Sequence, residues 1–131
     1  MRVGNHTAVV IALAGLSCAT VREVRVRPDT LCVGDAAGGL TVQVTDAEGL
    51  TLPGATISLR DSSGDVLQRI TVGRDSVALF RQVPRDGICR IRGELAGFEV
   101  TTARPFSCSP ACHTTVSLPM RVDMRNAVTF S

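Results

Sequence analysis

Residues 88–95 read Ile-Cys-Arg-Ile-Arg-Gly-Glu-Leu. Cys89, Ile91, Gly93 and Leu95 fall on one side of an extended chain, and Arg90, Arg92 and Glu94 on the other. Side chains of a strand alternate between faces, so this period of two predicts a strand with one buried and one wetted face. The pattern recurs upstream. Residues 40–46 group Leu40, Val42 and Val44, residues 55–60 group Ala55, Ile57 and Leu59, and residues 66–72 group Val66, Gln68, Ile70 and Val72. Residues 77–83 add another strand. Downstream, 98–106 and 114–122 read as strands, with Pro119 demoting the later half of the second to an edge or a bulge. Residues 126–130 add a short strand or fray.

Turn signals separate these runs: Gly49 and Pro53-Gly54, then residues 61–65, 73–76 and 84–87, then Ala96-Gly97. No stretch shows a capped apolar period of 3.6, so no helix is expected beyond the N-terminal leader. Short strands at this spacing predict an all-β domain, a seven-stranded antiparallel Greek-key β-sandwich over residues 40–122. Residues 20–39 read as a linker: valines and arginines interleave, Pro28-Asp29 breaks the run, and residues 34–39 are a glycine-rich hinge. Residues 123–131 read as a tail.

At the N-terminus, Arg2, Asn5 and His6 precede an apolar run over residues 8–16. Charged start and short apolar run are the parts of a secretory signal peptide. The run is shorter than the ~20 apolar residues that span a bilayer. Two processing points compete within residues 1–19. Ser17-Cys18-Ala19 fits ordinary cleavage after Ala19, whereas Gly15-Leu16-Ser17-Cys18 resembles a lipobox with Cys18 as the lipidated residue, its leucine one position late.

The chain of 131 residues suits one small domain. All 14 basic residues are arginine, there is no tryptophan or tyrosine, and only four phenylalanines are present. Stacking platforms for bases or flat cofactors use aromatic faces, and a net charge of +2 is far below that of a nucleic-acid binder. Neither a nucleic-acid partner nor a cofactor is expected.

Five cysteines are present, Cys18, Cys32, Cys89, Cys108 and Cys112. Setting Cys18 aside leaves an even set, which in an oxidising compartment reads as two disulfides. Four cysteines allow three pairings, and the spacing does not choose among them. A direct 108–112 bridge would close a tight loop. The expectation is two longer links, with one of Cys108 and Cys112 reaching Cys89 and the other Cys32.

Several stretches carry a family likeness. Residues 44–49 (Val-Thr-Asp-Ala-Glu-Gly) form a strand end and turn, and residues 52–59 (Leu-Pro-Gly-Ala-Thr-Ile-Ser-Leu) place Leu-Pro-Gly-Ala before an alternating strand. Phe80, Val83-Pro84, Gly87 and Cys89 follow, then Leu95-Ala96-Gly97-Phe98 and a closing strand from Thr114 to Leu118. Together they resemble the carboxypeptidase regulatory-like domain, a transthyretin-related, prealbumin-like sandwich, over about residues 40–120. Cys89 stands where that family has a tyrosine, Val42 where a glycine is common, and Gly73-Arg74-Asp75-Ser76 replaces an Asp-x-x-Gly turn. The resemblance implies an accessory module that spaces a neighbour or meets protein, carbohydrate or membrane at the cell surface.

Fold does not carry function, so candidate sites are weighed separately. Cys108, Cys112 and His113 could bind a soft metal or haem, but the cysteines are spaced unlike a haem attachment site, zinc wants a fourth ligand, and oxidation favours disulfides. Once a leader is removed His113 is the only histidine, so no hydrolytic triad is expected. Asp46, Glu48, Asp61, Asp65 and Asp75 fit ordinary turns better than a calcium loop. Arg22, Arg25, Arg27, Arg90, Arg92 and Arg121 could meet an anionic lipid or polysaccharide. The expectation is a non-catalytic, monomeric, exported module of the bacterial cell envelope that binds an unidentified protein or polysaccharide and touches membrane only through a lipid anchor. The alternative is a periplasmic metal- or redox-handling protein using the 108–113 loop.

Overall fold

The structure, a computed structural model, describes residues 21–32 and 38–124. The expected leader, Cys18 and the strand expected at 126–130 lie outside the described residues.

The protein is all-β. Its strands are β1 (Val21–Val24), β2 (Asp29–Leu31), β3 (Gly39–Thr45), β4 (Thr56–Arg60), β5 (Val66–Thr71), β6 (Val77–Phe80), β7 (Ile88–Glu94), β8 (Val100–Ala103), β9 (Phe106–Ser107) and β10 (His113–Pro119). They form two sheets. The larger runs β1-β8-β7-β4-β5, with β9 also on β7, and the smaller runs β2-β10-β3-β6. Leu40, Val42, Val44, Phe80, Val116 and Leu118 come from the smaller sheet. They share one core with Ile57, Leu59, Cys89, Ile91 and Ala103 of the larger. Each position read as inward on β3, β4 and the middle of β7 is buried. Gly93 is inward as well. A side chain there would come within 2.8 Å of Leu118 and crowd Met120 and Ile57, so the missing Cβ lets the layers close.

Three differences from the expected seven antiparallel strands have physical causes. First, the interleaved valines and arginines of residues 20–39 do not all act as a linker: β1 joins β8 and β2 joins β10. That alternation is itself a half-buried strand pattern, and Val26, between the two strands, enters the core. Second, the sheets are mixed. β1 runs parallel to β8, and β3 parallel to β10. Such pairs bring together segments far apart in sequence, as parallel pairing requires. Third, the strand expected over 98–106 splits into β8 and β9 around Arg104-Pro105, where proline supplies no ladder N–H.

Pro119 ends β10 without disturbing the sheet. The Met120 N–H donates to the Thr45 carbonyl at 2.8 Å, so the proline nitrogen faces the other side. There β2 reaches only to Thr115. Beyond β10 the chain pairs with the stretch after the 96–97 hairpin. Glu99 N–H donates to Arg121 C=O at 2.8 Å and Asp123 N–H to Gly97 C=O at 2.9 Å.

Candidate functional site

Both cysteines of the 108–113 loop are engaged in disulfides. Cys108 bonds to Cys89, 19 residues away, and Cys112 to Cys32, 80 residues away. This is one of the two arrangements with long links. Cys89 is an inward position of β7, and Cys108 is held beside it by donating its N–H to the Gly87 carbonyl at 2.8 Å. Both cysteines are sealed in the core. Cys32 and Cys112 instead continue the β2–β10 pairing, and Cys32 is exposed. Between the bridges, Ser109 accepts N–H groups from Ala111 and Cys112 and closes a tight turn.

His113 opens β10, with Nε2 2.8 Å from the Thr41 hydroxyl of the adjacent strand. Among the described residues every cysteine is in a disulfide, so none offers it a thiolate. Among the described residues no three histidine, cysteine, aspartate or glutamate side chains come together as metal ligands.

The aspartates close turns. Asp46 accepts the N–H groups of Glu48 and Leu50, and Asp75 that of Val77. Asp61 accepts from the Ser63 hydroxyl at 2.7 Å and from the N–H groups of Ser63 and Asp65 at 3.0 Å. The Ser63 hydroxyl first, and those backbone donors after it, hold the Asp61 carboxyl below its ordinary value by favouring the charged form.

The six arginines expected as a patch do not share a hollow. Arg121 is held by the buried Glu99 through two hydrogen bonds of 3.1 and 3.2 Å. Arg25 and Arg27 border a shallow hollow against Thr45, Thr115, Ser117 and Pro119. Arg22 lies on β1 at the edge of the larger sheet.

Arg90 and Arg92 do come together, with a partner the sequence reading missed. On β4, Ile57 and Leu59 point inward, so Thr56, Ser58 and Arg60 face outward. Arg60 sits opposite Arg90, and Ser58 opposite both Arg92 and Arg69. The outer face of the larger sheet therefore carries Arg60, Arg69, Arg90, Arg92 and Arg104 against Glu23 and Glu94. Arg92 pairs with Glu94 at 3.1 Å and Arg104 with Glu23 at 3.3 Å. Arg60 and Arg90 have no ion-pair partner among the described residues. Ser58 is only 2% exposed although it faces out, set between Arg69 and Arg92 on the neighbouring strands. The signal for Arg60 was its outward parity on residues 55–60. Which strand lies beside it is not written in that local pattern.

No protein-family model matches the chain, and no curated protein does.

Proposed function

We propose that the chain is a non-catalytic, exported module of the cell envelope that binds or spaces a surface partner, built as a prealbumin-like sandwich. One observation carries this reading: all four cysteines between residues 32 and 112 are spent in two disulfides. Such bonds persist in oxidising compartments. With its thiols spent, the 108–113 loop offers no cysteine nucleophile, and His113 hydrogen-bonds the Thr41 hydroxyl of the neighbouring strand. The connections β3–β4, β5–β6, β6–β7 and β9–β10 all switch layers. That crossing pattern supports the Greek-key reading, as the Leu-Pro-Gly-Ala and Gly-Phe stretches support the family resemblance.

The test is purification of the full chain from an oxidising compartment, followed by thiol titration and assays with ester, peptide and phosphate substrates. The expected result is no free thiol at Cys32, Cys89, Cys108 or Cys112 and no turnover. Turnover abolished by His113→Ala overturns the proposal. Mass spectrometry of the mature N-terminus separates a lipidated Cys18 from a free Thr20.

A further inference from the structure

We propose that the hollow bounded by Arg60, Arg90 and Arg92 is a carboxylate-binding site for an acidic saccharide, a uronate unit of a polysaccharide. The inference rests on the reading of the chain as a surface binding module.

Two unfavourable features meet at this spot. Arg60 and Arg90 are direct cross-strand partners, and like charges so placed repel. The Arg60 Nε is also shut off from solvent with no acceptor. A buried donor left unpaired is destabilising. The nearby carboxylates do not relieve either one, because Glu94 holds Arg92 and Glu23 holds Arg104. An acceptor placed between the two guanidinium groups would relieve the repulsion, and it would reach the Arg60 Nε once that guanidinium turns towards the hollow. The hollow encloses about 270 Å³, room for a group of roughly one sugar ring, and Thr102 lies on its wall.

The chemistry of the lining selects the ligand. A guanidinium fork matches a planar carboxylate through two parallel hydrogen bonds. Glu23 on the rim repels a phosphate dianion more strongly than a carboxylate. Of the apolar residues at its wall, Ile91 and Ala103 are buried core positions and Pro105 alone is exposed, too little to anchor a lipid chain or a hydrophobic peptide. The Thr102 hydroxyl can meet a sugar hydroxyl. Further arginines on the same face, Arg69 among them, suit a polymer with spaced charges. Such a ligand is held by charge and does not require the aromatic platform this chain lacks.

The experiment is calorimetric titration of the oxidised full chain at low salt with trigalacturonate, with maltotriose and inorganic phosphate as parallel probes. Trigalacturonate is expected to bind, more weakly as salt rises, and maltotriose is not. Arg60→Gln and Arg90→Gln should each weaken binding tenfold or more. Arg60→Lys should weaken it comparably, because a lysine keeps the charge and loses the fork. Arg22→Gln should leave it unchanged. Arg90 is exposed, so its variant folds whatever happens at Arg60. Absence of trigalacturonate binding, equal binding by parent and variants, or binding of phosphate alone overturns the site and leaves the non-catalytic reading standing. Cleavage of the saccharide overturns that reading instead.

Discussion

Ser76 is the one non-glycine residue with positive φ among those described, at 58°. It is fully buried and its hydroxyl has no partner. A left-handed conformation costs an L-residue roughly 1–2 kcal/mol, and glycine escapes that cost. Ser76→Gly is therefore expected to stabilise the protein by about 1 kcal/mol, read as a higher urea midpoint with an unchanged slope. Gly93→Ala should do the reverse. Its Cβ must displace Leu118, and overpacking of this kind costs roughly 1–3 kcal/mol. Asp61 supplies a test by pH. Its folded carboxyl titrates low, so its contribution is complete above the ordinary aspartate range and is lost as pH falls through the lowered value. Ser63→Ala removes the largest cause and should move the Asp61 titration, followed by NMR, back up towards that range. At this scale the sequence is informative. Cys89, Ile91 and Gly93 are legible as inward because alternation is a local property. Ser76 could be seen as a turn residue, but its buried, strained state depends on the neighbours it meets.

Elements were legible where each strand carries its own turn signals. The seven expected strands all have counterparts within the described residues, from β3 to β10, with one of them divided into β8 and β9. Strand partners were not legible. Nothing in Val21–Val24 names Val100–Ala103, and nothing at Arg60 names Arg90, because these contacts join distant residues. The addition of β1 and β2 to the sheets follows from the same gap. At the other end, the stretch after β10 is fastened through Glu99 and Arg121. Glu99 is 9% exposed at its side chain and its partner 52%. Arg121→Ala leaves a carboxylate mostly buried without its guanidinium and is expected to cost about 1–3 kcal/mol by thermal or urea unfolding. Glu99→Gln should cost less, because the uncharged amide needs no counter-charge.

For the whole molecule, the disulfides restrict the unfolded chain to very different extents. By loop entropy the 80-residue link contributes ~4.5 kcal/mol and the 19-residue link ~3 kcal/mol. Against a typical stability of about 5–15 kcal/mol for a single domain, losing both should leave the protein largely unfolded at 37 °C. Cys32→Ser with Cys112→Ser should be the milder loss in the core, since Cys32 lies at the surface. Cys89→Ser with Cys108→Ser also places hydroxyls among apolar side chains. Circular dichroism of the two double variants, unfolded side by side, measures both expectations.

The Cys32–Cys112 bond also determines how the protein responds to being pulled. Tension applied near residue 21 and residue 124 crosses from one strand segment to the other through sulfur and bypasses the polypeptide between them. While that bond is intact, stretching can peel away only the outer segments. A molecule held in an optical trap should release its hidden length only after a reductant is added, by about 260–290 Å once both bonds are reduced and about 200–220 Å while Cys89–Cys108 persists, at ~3.3–3.6 Å per residue.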